Sequence, residues 1–387
     1  MDKKDVANIR KQFKPDNPKL KIHDLFHVYV MKESSDIYHQ EYRSFSMLER
    51  EEQELFFKNF KKVLTGQMDV KLFELRFQPG ERDDHSRHIL YRGLRAETAD
   101  EWQEEMLLLV EKMFKEVQYD TDMVVTFIRG EYRKPVKQKE EDGDPDDGGE
   151  AHYSFILCSL NKTEMPDKVL AFDYVEKEFK AQFAVNPVIN LTAPAGGFLF
   201  PAISGEHSDV NHVLYSAGKA NEPDEYFIEE VLNGETVLTA KEDKAVFEEI
   251  VKDVIGEQVK SSTLANVYEE INRMIAENEE ETAPTLDYKD VERVLKASGA
   301  EDVSREKVEM AFQRVVDDEH YELKAENILP KYTAKSIKME TKVAKISISP
   351  QDLKYVRQVV FNGKRYLMIE IDEDAEVEGF KLIPEAF

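Results

Sequence analysis

The chain has 387 residues, with 79 acidic against 53 basic side chains and a formal net charge of −26 at pH 7. Its length suits two or three domains, and a hydrophobic fraction of 41% is typical of folded globular proteins. So acidic a surface repels phosphate backbones and anionic lipids, which disfavours a general nucleic-acid coat or a membrane-surface protein. The single cysteine, the charged N-terminus and the lack of a long apolar run favour a cytoplasmic protein that does not span a membrane.

The first 130 residues alternate between helical and strand patterns. Apolar residues three and four apart indicate amphipathic helices, and apolar residues in alternation indicate strands. In chain order the predicted elements are a helix over 5–13, strands over 23–30 and 37–45, a helix over 47–64, a strand over 70–77, a helix over 102–117 and a strand over 123–128. This mixture predicts an α+β fold.

An acidic insertion at about 131–150 follows this part of the chain. Its charged, glycine-containing sequence cannot bury enough apolar surface to offset the entropy of ordering, so we expect it to be exposed. Strands over 123–128 and 153–160 flank it and are expected to pair as a long hairpin. Asp142, Asp144 and Asp146 have the spacing of a calcium loop, but the glycine and the bidentate glutamate of such a loop are missing. We therefore predict a solvated charge run and no metal.

Residues 181–205 form a 25-residue run without a charge, in a chain of which 34% of the residues are charged. Prolines and paired glycines exclude a long helix there, and the pattern predicts a strand leading into a rigid apolar loop over 193–201. Such a loop could be a docking surface or the wall of a pocket, or it could fill the core. The candidate binding residues are Pro194, Gly196, Gly197, Phe198, Phe200 and Pro201.

Three polar residues directly after this run form a second candidate site. His207, Asp209 and His212 could hold a divalent ion or serve an enzyme of unrecognised type. The alternative is that Ser208 and Asp209 begin a helix, which explains the polar residues without a metal. The chain contains no phosphate-binding loop, dinucleotide fingerprint, nucleophile elbow or zinc-binding helix motif, so we assign no catalytic residue, metal or cofactor.

The rest of the chain changes character twice. Residues 206–330 are acidic, with helical patterns over 246–255 and 264–275 and helix N-caps at Asp287 and Ser304. Residues 331–387 predict a small β unit with a hairpin turn at Asn362-Gly363. A basic face there could bind nucleic acid, or its lysines could simply protect an edge strand from aggregation. It comprises Lys331, Lys335, Lys338, Lys342 and Lys345.

Several segments, in one order along nearly the whole chain, carry a family resemblance. They are residues 1–15, 197–202, 211–215, 360–369 and 378–380. With them the chain resembles a bacterial family of unassigned function, the domain-of-unknown-function family DUF4317. The resemblance implies a cytoplasmic bacterial protein with one integral architecture, and it implies no reaction, ligand or cofactor. The C-terminal strand pattern is also similar to that of bacterial nucleoid-associated proteins.

Together these observations predict an α+β protein in three parts: an N-terminal mixed domain over 1–205, an acidic helical region over 206–330 and a C-terminal β unit over 331–387. The leading hypothesis is a non-enzymatic binding or regulatory protein whose apolar loop at 193–201 meets an unidentified protein partner. The alternative is an enzyme with a site near His207, Asp209 and His212. A third hypothesis is a nucleic-acid or nucleoid-associated protein that uses the basic face. The sequence leaves the oligomeric state open.

Overall fold

The computed structural model describes residues 1–135, 150–166, 169–182, 186–205, 207–278, 284–318, 320–331, 335–377, 380, 381 and 383. Most of the predicted acidic insertion therefore lies outside the described residues. The chain divides into two units, Met1–Thr239 and Ala240–Phe387.

The first unit contains helices α1 (Lys3–Gln12), α2 (Arg50–Val63), α3 (Ser86–Arg95) and α4 (Ala99–Phe114), a 3₁₀ turn at Phe45–Met47 and a π-helical segment at Phe227–Val231. Its strands are β1 (Leu20–Val30), β2 (Ile37–Ser44), β3 (Leu72–Arg76), β4 (Met123–Pro135), β5 (Glu150–Glu164), β6 (Val169–Asp173), β7 (Glu178–Gln182), β8 (Val188–Ile189), β9 (Gly196–Phe200), β10 (Ala202–Ser204), β11 (His207–Asp209) and β12 (His212–Ala217). Each element predicted over residues 1–130 is present, and the α+β class is confirmed. Helix α3 lies in a segment that the sequence pattern does not mark as helical.

An eight-stranded antiparallel sheet organises this unit. Seven strands lie in the order β2-β1-β4-β5-β9-β12-β3, and β8 pairs with the end of β5. The longest ladder joins β4 to β5, from Met123 opposite Lys162 to Pro135 opposite Glu150. The predicted long hairpin is therefore confirmed.

Helices cover both faces of this sheet. One core combines strand residues with α3, α4 and the π-helical segment around Trp102, and the other combines strand residues with α1 and α2 around Phe13 and Phe60. Because side chains alternate along a strand, successive residues of a central strand enter different cores. A strand with both faces covered has few positions that can hold a charge.

The structure corrects the prediction of an apolar loop over 193–201. Gly196–Phe200 is β9, a central strand that pairs with β5 on one side and β12 on the other. Phe198 and Phe200 are both 0% exposed and belong to the core that contains Trp102, whereas Leu199 belongs to the other core. Pro194, Gly197 and Pro201 are buried as well. The segment from Gly196 to Ile203 lacks charge because it fills the core, which was the alternative, and it cannot present a docking surface.

The sheet also extends past residue 205. Strand β12 lies between β9 and β3, so residues that the sequence assigns to the acidic helical region belong to the first unit. Strand β12 is only six residues long, too short to stand out in an otherwise acidic stretch.

The second unit contains a helical core and short hairpins. Its helices are α5 (Ala240–Ile255), α6 (Ser261–Glu277), α7 (Tyr288–Ala297), α8 (Arg305–Val316) and α9 (Ala325–Ile328), with a 3₁₀ helix at Pro350–Tyr355. Its strands pair in twos: β13 (Thr285–Leu286) with β14 (Leu323–Lys324), β15 (Ile337–Glu340) with β16 (Lys345–Ile348), β17 (Val356–Phe361) with β18 (Lys364–Ile369), and β19 (Glu376–Val377) with β20 (Phe380–Lys381).

Local signals in this unit are confirmed. Asp287 caps α7 by accepting hydrogen bonds from the backbone of Lys289 and Asp290, and Ser304 caps α8. Asn362 and Gly363 both have positive φ and join β17 to β18. Among the helices of the described residues, none is both long and apolar enough to cross a bilayer.

Candidate functional site

A cavity of about 190 Å³ lies at one end of the large sheet, beside Gly196. We call it the aromatic cavity. Its wall includes Tyr119, which follows α4, together with Tyr215 of β12 and Phe227 of the π-helical segment. Gly218, Lys219, Glu222 and Asp224, from the loop after β12, complete one side. The candidate site therefore combines buried sheet positions with a polar loop.

Close contact between two backbone segments shapes the floor of the cavity. Gly196 pairs with Ala217 across the β9–β12 ladder, and the N–H of Ala195 donates to the carbonyl of Leu160 at 2.7 Å. Gly218 packs so tightly that a Cβ there would lie 2.3 Å from the carbonyl oxygen of Ala195. Only glycine permits this approach at residue 218. A Cβ at Gly196, in contrast, would meet nothing nearer than 3.5 Å.

Aromatic rings supply the apolar part of the wall. The rings of Tyr215 and Phe227 are stacked, with centroids 5.5 Å apart and an interplanar angle of 26°. The ring of Tyr119 packs against Phe114, with centroids 5.2 Å apart. Tyr215 and Phe227 are 2% and 3% exposed, so their positions are fixed by the core. The cavity wall is preformed rather than dependent on exposed side chains.

Hydrogen bonds position the polar groups at the mouth. The backbone N–H of Asp224 donates to the hydroxyl of Tyr215 at 3.1 Å, and a carboxylate oxygen of Asp224 accepts from the N–H of Phe227 at 3.0 Å. Lys219 pairs with Glu222, with 3.3 Å between Nζ and Oε2, and both side chains are largely exposed. The hydroxyl of Tyr119 has no hydrogen-bond partner within the described part of the chain. That hydroxyl is available to a ligand.

Electrostatics keep both phenols of the cavity neutral. Burial raises the pKa of Tyr119 above its usual value, and the negative charge of Asp224 raises it further. Burial also raises the pKa of Tyr215, where the charge of Asp224 acts in the same direction and the hydrogen bond from its backbone acts against it. Phenols in this state are hydrogen-bond donors and not bases at neutral pH.

Of the predicted binding residues, the structure places Gly196 in the wall of the aromatic cavity. The polar candidates His207, Asp209 and His212 do not line the cavity: His212 begins β12, whereas the cavity is lined by Tyr215 farther along the strand and by Gly218 just after it. The expected helix start at Ser208 and Asp209 is wrong, because residues 207–209 form β11 and pair with β10. This second candidate site and the cavity are therefore separate.

Asp209 and His212 do lie in contact. Oδ2 of Asp209 is 2.6 Å from Nδ1 of His212, and Oδ1 accepts from the backbone N–H of Asn211 at 2.8 Å. Burial opposes ionisation of Asp209, but these hydrogen bonds outweigh it and lower the pKa of the carboxyl. His207 is exposed and lies opposite Ser204 in the ladder. Over the residues that the structure describes, no three His, Cys, Asp or Glu side chains form a group that could hold a metal ion.

The lysines of the predicted basic face are exposed, but they share it with acidic residues. Lys338 and Lys345 lie on one face of the β15–β16 hairpin together with Glu340. Nζ of Lys345 is 2.9 Å from Oε1 of Glu340. Lys331, Lys335 and Lys342 lie outside the strands. Binding of nucleic acid by this face stays a prediction.

A wider groove of about 650 Å³ lies between the β1–β2 turn and the end of α4. Exposed polar side chains such as Glu33, Ser34, Asp36 and Glu116 form most of its walls. Its lining includes one buried aromatic ring, Phe114, whereas Tyr215 and Phe227 both line the smaller cavity. For a specific small ligand, a few polar groups in an apolar enclosure are the better arrangement.

Comparison with models of known families identifies the family of the chain. A family model described as "Domain of unknown function (DUF4317)" matches residues 1–380. The chain belongs to this family. No curated protein and no solved structure matches it. The family resemblance of the sequence is thereby confirmed, and the DUF4317 fold described above has to be interpreted from its own geometry.

Most cavity residues of this DUF4317 protein carry no signal in the sequence. Tyr119, Tyr215 and Phe227 resemble ordinary core aromatics, and Asp224 lies in a stretch crowded with acidic residues. Gly218 is the informative position, because a glycine directly after a strand indicates a close backbone approach. Together with Gly196 it marks the floor of the cavity.

Proposed function

We propose that this protein is a binding protein for a small organic molecule and that the aromatic cavity is its binding site. The observation that carries the proposal is a preformed cavity whose wall holds a phenol, Tyr119, without a hydrogen-bond partner among the described residues. A polar group at the wall of an apolar enclosure gives a ligand both orientation and selectivity.

The volume of the aromatic cavity limits the size of the ligand. An apolar cavity of about 150 Å³ accommodates a molecule the size of benzene. The aromatic cavity, at about 190 Å³, is of the same order and smaller than the usual site of a drug-sized molecule. We therefore expect a ligand, or the end of a longer one, with fewer than about ten non-hydrogen atoms.

The two phenols of the cavity wall are suited to recognising a ligand by hydrogen bonds. Tyr119 and Tyr215 remain protonated because burial raises the pKa of each phenol, and at Tyr119 the charge of Asp224 raises it further. Tyr215 also accepts a hydrogen bond from the backbone of Asp224, which fixes its ring and the start of the π-helical segment. Preorganised side chains lower the entropic cost of binding.

The test uses three probes of the same shape and different charge: choline, 3,3-dimethyl-1-butanol and 3,3-dimethylbutanoate. Binding is followed by NMR through the backbone amide resonances of Gly196 and Gly218, at constant ionic strength. We expect at least one probe to shift both resonances saturably below about 10 mM. If none of the three shifts them, the proposal is overturned.

A cavity-filling variant locates the binding. In Gly196→Ala the new methyl group has no neighbour closer than 3.5 Å, so the protein should fold while the cavity shrinks. We expect the affinity for the bound probe to fall at least about tenfold. Gly93→Ala is the matched control, because Gly93 lies on α3 outside the cavity; its Cβ would require the flexible end of Met106 to move and would meet Ile156 and Glu105 at ordinary contact distances. An unchanged affinity in Gly196→Ala would contradict the assignment of the site.

A further inference from the structure

We infer that the ligand of the aromatic cavity is a small organic cation, such as an alkylammonium group. This inference rests on the function proposed above and names the class of molecule that the site selects. Three features of the wall support it: the net negative charge of the lining residues, the aromatic rings and the electric field of the Asp224 carboxylate.

The charges around the cavity leave a negative excess. Its lining contains one basic side chain, Lys219, and two acidic ones, Glu222 and Asp224. Lys219 and Glu222 pair with each other at 3.3 Å. No ion pair with a described residue engages Asp224, which instead accepts the N–H of Phe227. Asp224 is exposed at the mouth, where its carboxylate would attract a cation that enters the cavity.

The aromatic rings of the lining also favour a positively charged ligand. The face of an aromatic ring attracts a cation that lies within about 6 Å of its centroid. Tyr119, Tyr215 and Phe227 all line this small cavity, so a ligand there lies close to aromatic rings. Alkylated ammonium groups suit such walls because they combine a positive charge with an apolar surface.

The field of Asp224 reaches into the wall. Its charge raises the pKa of Tyr119 beyond the larger effect of burial, and it acts in the same direction at Tyr215, where the hydrogen bond from the backbone N–H of Asp224 opposes it. A field that disfavours a phenolate at the cavity wall favours a positive charge in the cavity. An anionic ligand of the same shape would meet the carboxylate unfavourably, and a neutral one would gain only apolar contact.

The three probes separate this inference from the proposed function. We expect choline to bind at least about tenfold more tightly than 3,3-dimethyl-1-butanol, and 3,3-dimethylbutanoate to bind most weakly. The preference for choline should decrease at higher sodium chloride concentration, because salt screens the carboxylate at the mouth. Equal binding of choline and the neutral alcohol would overturn the cation inference and leave the binding function supported. Absence of binding by all three would overturn both.

A matched pair of variants tests the role of Asp224. Asp224→Asn removes the charge and keeps an oxygen that can accept the N–H of Phe227. We expect it to lower choline affinity to that of the neutral alcohol and to leave the affinity for the alcohol unchanged. Glu225→Gln removes an exposed charge from the adjacent residue, which does not line the cavity, and should preserve the preference. Loss of preference in both variants, or in neither, would contradict the assignment to Asp224.

Discussion

Arg129 and Asp24 form an ion pair between neighbouring strands of the first unit. Nε of Arg129 lies 2.7 Å from Oδ2 of Asp24, and the two side chains are 16% and 10% exposed. Oδ1 of the same carboxylate accepts from the hydroxyl of Tyr42 at 2.8 Å. Nη1 of Arg129 donates to the carbonyl of Ala96 at 2.8 Å, and the guanidinium lies over the ring of Trp102. The pair therefore joins the sheet to the helical layer.

Removing one partner of this pair should destabilise the first unit strongly. Arg129→Met leaves the carboxylate of Asp24 without its cation in a largely buried position, so we expect a loss of about 3–5 kcal/mol in the free energy of unfolding. Urea denaturation measures it. Arg50→Met is the control, because the pair of Arg50 with Asp16 is 68% and 79% exposed and should contribute less than about 1 kcal/mol. Similar losses in the two variants would contradict the buried role of Arg129.

A substitution at Phe198 tests whether β9, in the uncharged segment, is part of the core. Its side chain is 0% exposed, and its ring packs near Phe127 with centroids 6.5 Å apart. Phe198→Ala should cost about 3–5 kcal/mol, because it leaves a cavity between the sheet and its helices. In Phe179→Ala the removed ring is 71% exposed on β7, and the loss should stay below about 1 kcal/mol. A Phe198→Ala protein as stable as the native one would contradict the buried, packed position of Phe198.

The sequence predicts correctly those features whose causes lie within a few residues of one another. Asp287, Ser304 and the Asn362-Gly363 turn act on backbone groups within a few residues, so a short pattern contains the whole cause. The uncharged run is different, because absence of charge indicates burial without deciding between loop and strand. Gly197 looks like a loop residue, yet glycine is needed there because a Cβ would lie 2.3 Å from the carbonyl oxygen of Cys158 on β5.

The sequence does not predict the candidate site, for a related reason. Tyr119 and Asp224 are more than a hundred residues apart, and only the strand order brings them to one cavity. That order places β12 beside β9 and β3, and no short pattern in the chain encodes such a pairing. His207 and Asp209 were conspicuous in sequence because polar residues stand out after an apolar run. In the structure they lie on β11, the more exposed strand of the β10–β11 hairpin.

The only cysteine provides a probe of opening in the first unit. Cys158 is 0% exposed on β5, and burial raises the pKa of its thiol well above the usual value. Since the thiolate is the reactive form, we expect labelling by an aromatic disulfide reagent to be slower than for a free thiol by several orders of magnitude. Labelling should become complete as the first unit unfolds in denaturant. Ser208→Cys, which adds a thiol at an exposed position, should react with one equivalent in the native state. Rapid labelling of the native protein itself would contradict the packed position of Cys158.

His27 should make the first unit sensitive to acid. Burial lowers the pKa of His27 to about 4, and the nearby charge of Arg43 acts in the same direction, with Glu52 opposing both. The ring stacks on Phe56 with centroids 5.1 Å apart, and Nδ1 lies 3.0 Å from the hydroxyl of Thr126. In the unfolded chain the imidazole titrates near its ordinary pKa of 6.5.

Because the folded pKa is the lower one, the unfolded chain binds more protons between pH 6.5 and 4. The free energy of unfolding should therefore fall as the pH drops through this window, by up to about 3 kcal/mol, and be independent of this group above it. His27→Gln, which cannot titrate, should show a flatter dependence when unfolding is measured by urea between pH 4 and 8. His39→Gln, an exposed histidine on the neighbouring strand β2, should retain the slope of the native protein. If the slopes of the native protein and His27→Gln are the same, the acid sensitivity arises from other groups.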